Sequence, residues 1–108
     1  CELPKILVKK NDIHITSKRN FDCFQDTELD MLLKRTLNVK NIIICGVNTD
    51  TCVYGTTFGA SNRGYNPIVI ECCTGSMRGE DQHQTALKIM SQSIAWVMKK
   101  EEVLNKLN

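Results

Sequence analysis

The stretch Ile42-Ile43-Ile44-Cys45-Gly46-Val47-Asn48-Thr49-Asp50-Thr51-Cys52-Val53 places a thiol at the start of a helix. A β-branched run ends, a short polar turn follows, and a helical pattern opens at Cys52. Backbone N–H groups in the first turn of a helix lack intrahelical acceptors, and the helix dipole puts partial positive charge there. Both favour a thiolate, the nucleophilic form of cysteine. Cys52 is therefore a candidate nucleophile. The other cysteines of this region and beyond, Cys23, Cys45, Cys72 and Cys73, read as buried small hydrophobes. Asp50 reads as a helix cap, His83 as a helix-surface or subunit-contact residue, and Glu71 as structural. Taken alone, Lys18 reads as a solvated surface charge.

The elements that must position Cys52 follow from periodicity. Ile13 to Thr16 reads as a short strand. A helix starts near Thr27 with Asp26 or Thr27 as cap, and Leu29, Leu32, Leu33 and Leu37 form its apolar face. Val39 to Cys45 is a continuous apolar strand, of the kind buried on both faces of a parallel sheet. Helix 51–63 ends near Gly64. A strand covers Ile68 to Ile70, Gly75 to Gly79 is loop, a helix covers 80–92, Trp96 to Met98 is a short strand, and a last helix lies near 100–107. Strands alternating with helices indicate an α/β fold with a parallel sheet flanked by helices. Ligands bind beyond the C-terminal ends of such strands, where Cys52 falls.

Composition narrows the function. The chain has 108 residues, 42% hydrophobic and 24% charged, consistent with one globular domain. A net charge of +2 is too small to suggest a nucleic-acid or membrane partner. No apolar run approaches the ~20 residues of a membrane span, and no signal-peptide pattern is visible. With two histidines and no Cys-x-x-Cys, a metal site has little support. The six cysteines suit free thiols in a reducing, cytoplasmic setting better than a disulfide framework. A phosphatase loop needs arginine where Phe58 stands, and Gly55, Gly59 and Gly64 make no dinucleotide turn.

Upstream lies Thr16-Ser17-Lys18-Arg19-Asn20-Phe21-Asp22-Cys23-Phe24-Gln25-Asp26-Thr27-Glu28-Leu29. Together with Gly46-Val47-Asn48-Thr49-Asp50-Thr51-Cys52-Val53, it resembles the isochorismatase-like cysteine hydrolases. These carry a Lys-x-x-aromatic-(Ser/Asp)-x-Phe-x-x-Thr-x-Leu segment and a Gly-Val-x-Thr-x-x-Cys-Val turn. The resemblance runs on through Ala60 to Tyr65, the strand Ile68 to Ile70, Glu71-Cys72-Cys73 and the helix from His83 to Met90.

The resemblance implies a Rossmann-like isochorismatase-type fold and hydrolysis of a C–N bond in a small amide or carbamoyl compound. Cys52 would form a thioester, assisted by Lys18. Backbone N–H groups of Asn48 and Cys52 would form the oxyanion hole. The Val47–Asn48 peptide would be cis, and Phe21 and Phe24 would line the substrate pocket. Neither metal nor cofactor is implied; the partners expected are a small-molecule substrate and further copies in a homo-oligomer. The spacing of Lys18 and Cys52 resembles the carbamoyl-amide branch more than the nicotinamidases. The family's catalytic aspartate, at the end of a first strand, has no counterpart here. Residues 1–12 read as the tail of a preceding segment, so residues 1–108 are expected to be one N-terminally incomplete domain. The alternative is a catalytically inactive scaffold or interaction protein of the same fold.

Overall fold

The computed structural model describes residues 9–107. The expectation for residues 1–12 therefore lies largely outside the described residues. Helix α1 (Leu29–Met31) continues into a π-helical turn (Leu32–Thr36). There follow β1 (Asn41–Val47), α2 (Cys52–Asn62), β2 (Asn66–Gly75), α3 (Glu80–Ser93), β3 (Trp96–Met98) and α4 (Lys100–Leu107).

The strands form a parallel sheet in the order β1-β2-β3. Each crossover carries a helix, as parallel neighbours require. Ile44 and Val69 are paired in register and point to one face. There they are buried with Val53 of α2 and Ala86, Leu87 and Met90 of α3. Fully burying each such aliphatic side chain contributes about 1.5–3 kcal/mol, so this cluster dominates the fold. On β2, Ile70 alternates to the opposite face and is also buried, and α4 packs against that strand. Helices thus flank the parallel sheet.

The register between β1 and β2 is continuous from Asn41 to Ile44, then jumps so that Gly46 meets Thr74. Residues 70–73 of β2 thus stand opposite Cys45 alone, three more than regular pairing allows, and within this irregular stretch Cys72 and Cys73 are exposed. Cys45 is exposed as well, so the expectation of burial fails for all three.

Three further expectations need correction. Residues 13–16 form no strand: β1 pairs only with β2 among the described residues, and Ile13 is exposed. β1 is covered on one face alone, because Ile43 and Val47 on its second face remain exposed. The first helix starts one residue later than a Thr27 cap would place it. Asp26 has φ +57°, a left-handed conformation, and Glu28 takes the cap position. The predicted helix over 80–92 and the strand Trp96 to Met98 match α3 and β3 within one residue.

A second cluster joins the N-terminal segment to α2. Phe24 is buried against Ala60 and Tyr65, its ring stacked 5.5 Å from the Tyr65 ring. The Tyr65 hydroxyl donates to the Asp30 carboxylate at 2.7 Å. That bond holds the Asp30 carboxyl below its ordinary value. Burial, and after it this bond, pushes the Tyr65 phenol up to about 12.

The folded state therefore favours the neutral phenol. The resulting stability is complete below about pH 10 and is lost as pH rises through about 12. Denaturant titrations should show wild-type stability falling across that window. Tyr65→Phe should lack the step and cost about 1 kcal/mol at neutral pH. An identical alkaline step in both proteins would contradict this assignment.

Candidate active site

β1 ends at Val47, the Val47–Asn48 peptide is cis, and α2 begins at Cys52. The turn between them folds on the Asn48 carbonyl, which accepts the N–H groups of Thr51 (3.1 Å) and Val53 (3.0 Å). The N–H groups of Asn48 and Cys52 take no partner among the described residues. A strand, a tight turn and a helix N-terminus thus leave two backbone donors without a partner in the turn that ends at Cys52.

Lys18 reaches this thiol from a segment without regular structure. Its Nζ lies 4.0 Å from Cys52 Sγ. What brings it there is the bare surface of α2. Gly55 and Gly59 sit on one face, and residues 21 and 22 lie against them. A Cβ at Gly59 would collide with the Asp22 carboxylate, whereas one at Gly55 would meet Phe21 and Asp22 at an ordinary 3.5 Å. Thr56, between the glycines, accepts the Cys23 N–H at 3.0 Å. Asp22 caps the Phe24 N–H at 2.8 Å and pairs with Arg63 at 3.6 Å. Arg63 in turn lies 5.0 Å over the Phe24 ring.

A cavity of about 180 Å³ opens where these elements meet. Lys18, Cys23, Cys45, Gly46, Val47, Cys52 and Thr56 contribute to its wall. Cys45 faces the same space, in surroundings that disfavour its thiolate. Partial burial, and after it the neighbouring Cys73 and Cys72 thiols, push its pKa up despite its exposed surface.

Sequence-predicted residues divide clearly. Lys18, Val47 and Cys52 line one cavity, and Asn48 follows Val47 in the adjoining turn. Phe24 does not line the cavity; it is a core residue at 4% exposure. Phe21 is 68% exposed, lies against α2 at Gly55 and does not line the cavity either. Asp50 is no helix cap. Thr51 holds that position, and the Asp50 carboxylate accepts Ser76 Oγ (2.8 Å) and Arg78 Nη1 (2.9 Å). Those partners, the Ser76 hydroxyl first, hold it below its ordinary value. His83 is not a surface residue: it is buried, with Nδ1 2.7 Å from Thr49 Oγ1. Cys23 and Thr56 were missed as wall residues. The spacing of Thr56 one helical turn beyond Cys52 is the signal that could have found it. Among the described residues, no three His, Cys, Asp or Glu side chains group to hold a metal ion. No helix there is long and apolar enough to cross a membrane.

Known proteins are similar to this chain in sequence and fold. The family described as the isochorismatase domain matches residues 3–102. An uncharacterised isochorismatase family protein of Escherichia coli O157:H7, YecD, is 32% identical over 97 residues, covering 90% of this chain and 50% of that protein. The nicotinamidase SaPncA from Staphylococcus aureus superposes with a TM-score of 0.71 at 35% identity, covering 76% of this chain and 50% of its own. An isochorismatase-like hydrolase from Alkaliphilus metalliredigens superposes with a TM-score of 0.89 over 98% of this chain and 57% of its own; at 24% identity it speaks for the fold. The chain spans about half the length of the curated relatives it matches.

The glycine face of α2 yields a contrast between two substitutions. Gly55→Ala should stabilise the protein by up to about 1 kcal/mol through helix propensity. Gly59→Ala should forfeit that gain, because Asp22 must leave Arg63 and the Phe24 N–H. Adding Asp22→Ala should relieve the clash, so the two changes are non-additive in a thermal-melt cycle. Equal effects of the two alanines would contradict the close approach.

Proposed function

The chain belongs to the isochorismatase family, and we propose that its protein is a hydrolase cleaving a C–N bond of a small amide or carbamoyl compound through a thioester on Cys52. The observation that carries this reading is the 4.0 Å approach of the Lys18 ammonium to Cys52 Sγ at the head of α2. Two unit charges at about 4 Å attract by about 1 kcal/mol in bulk water and about 4 kcal/mol at an effective dielectric of about 20. Lys18 therefore stabilises the thiolate. The thiolate attacks the carbonyl carbon, and the C=O electron pair moves to oxygen. The N–H groups of Asn48 and Cys52 receive that oxyanion. Loss of one such donor costs about 3–4 kcal/mol where it has been measured.

The tetrahedral species collapses with cleavage of the C–N bond, and the nitrogen, taking one proton from solvent, leaves as the neutral amine. Water then adds to the thioester carbon, giving a proton to solvent; the C–S bond breaks, the acid leaves and the Cys52 thiolate is regenerated. Nicotinamidases among the structural relatives support an amide carbonyl as electrophile. The resemblance of the Lys18-to-Cys52 spacing to that of the carbamoyl-amide branch adds carbamoyl compounds to primary amides.

A second reading has one observation in its favour. Deacylation needs a base, and among the described residues no carboxylate lines the Cys52 cavity. A fold that keeps its nucleophile yet turns nothing over would fit that wall.

The test is turnover of primary amides and N-carbamoyl compounds, followed by ammonia or amine release. The wild-type protein should hydrolyse at least one class. Cys52→Ala should lower kcat/KM at least about a thousandfold, and Lys18→Met about a hundredfold or more. Full activity in Cys52→Ala would refute the thioester route. A wild-type acyl adduct on Cys52 without turnover would favour the second reading.

A further inference from the structure

The turn that presents the Asn48 and Cys52 N–H groups is braced by the segment that follows β2. The Gly75 carbonyl accepts the Thr49 N–H at 2.9 Å. The Met77 N–H donates to Asn48 Oδ1 at 3.0 Å. Ser76 and Arg78 hold the two oxygens of Asp50. The innermost brace is the contact between Thr49 Oγ1 and His83 Nδ1, at 2.7 Å.

These braces differ in strictness. Arg78 is 58% exposed, so water competes for its ion pair and softens it. Thr49 is fully buried and His83 only 6% exposed. Water competes less for partners with so little exposed surface, although His83 also lines a separate cavity with Glu71, Glu80 and Gln84, and a buried hydrogen bond is costly to leave unmade. Either neutral tautomer of His83 satisfies it, with the Thr49 hydroxyl donating to Nδ1 or accepting from Nδ1–H. α3 supplies the rigid mount. The His83 N–H bonds the Gly79 carbonyl in the first turn of this helix, and Ala86, Leu87 and Met90 anchor the same helix in the core.

Thr49 is the residue next to Asn48 and precedes Cys52 by less than a helical turn. A shift of Thr49 therefore carries both free donors with it. Oxyanion donors act only when they sit about 2.7–3.1 Å from the oxygen that acquires charge. We propose that His83 is a positioning residue: through Thr49 it fixes the turn so that the Asn48 and Cys52 N–H groups converge on one oxygen. This rests on the reading of Cys52 as the nucleophile of an acyl transfer.

Two reactions of the same thiol separate positioning from folding. Iodoacetamide alkylates Cys52 by displacement at a saturated carbon and builds no oxyanion. p-Nitrophenyl acetate acylates it through an oxyanion, forming the S–C bond and releasing p-nitrophenolate. In His83→Ala and Thr49→Val, acylation should slow about tenfold to a hundredfold while Cys52 alkylation stays within about twofold of wild type. His83→Asn, which keeps a polar atom near the Nδ1 position, should recover most of the acylation rate. Unchanged acylation in His83→Ala and Thr49→Val would overturn the inference. So would a parallel loss of both reactions, which marks a merely structural contact. A wild-type protein that is alkylated at Cys52 but never acylated would instead sink the acyl-transfer reading itself, and the positioning role with it.

Discussion

Everything at the candidate site depends on how closely a segment without regular structure can approach helix α2. Residues 21 and 22 lie on the helix at Gly55 and Gly59, and at Gly59 a methyl group would displace the Asp22 carboxylate. Glycine in a helix costs about 1 kcal/mol relative to alanine. At Gly59 that cost is offset by Asp22 contacts that alanine would disturb. Asp22 then reaches both Arg63 and the Phe24 N–H, and Thr56 takes the Cys23 N–H. With Phe24 buried behind it, the segment is fixed at several points, and Lys18 arrives beside Cys52.

α2 therefore serves three ends at once. Val53 and its neighbours seal the sheet face, the glycine side receives the lysine segment, and the N-terminus presents the thiol. This division explains why the helix lacks a single clean apolar stripe. Its buried residues include Thr56, Thr57 and Gly59 as well as Val53 and Ala60. The turn ahead of it is held from the other side, by the loop after β2 and by α3. Two independent supports meet at Cys52, one carrying the cation and one carrying the backbone donors.

Much of this was legible in the residues, and the exceptions share a cause. The β-branched runs at Ile42 to Ile44 and Ile68 to Ile70 mark two of the parallel strands, and the period of residues 80–92 marks α3. Lys18 was visible only through a resemblance, because nothing local distinguishes one surface lysine from another. His83, Phe24 and Asp50 were misread because each has a long-range partner. His83 meets Thr49, Phe24 meets Tyr65, and Asp50 meets Ser76 and Arg78. Local pattern shows that a residue lies on a helix or a turn, but which neighbour it meets is decided by tertiary packing. The second face of β1 was misread for the same reason: an apolar run indicates that a strand can be covered on both sides, not that it is.

The central claim is that Lys18 and the head of α2 together make Cys52 the activated thiol among several. Pulse labelling with iodoacetamide at about pH 6.5, where ordinary thiols are almost wholly protonated, tests it when followed by peptide mapping. Cys52 should be modified well ahead of Cys23, Cys45, Cys72 and Cys73, and Lys18→Met should remove most of that lead. Uniform labelling across the thiols, or a Cys52 lead that survives Lys18→Met intact, would contradict the account.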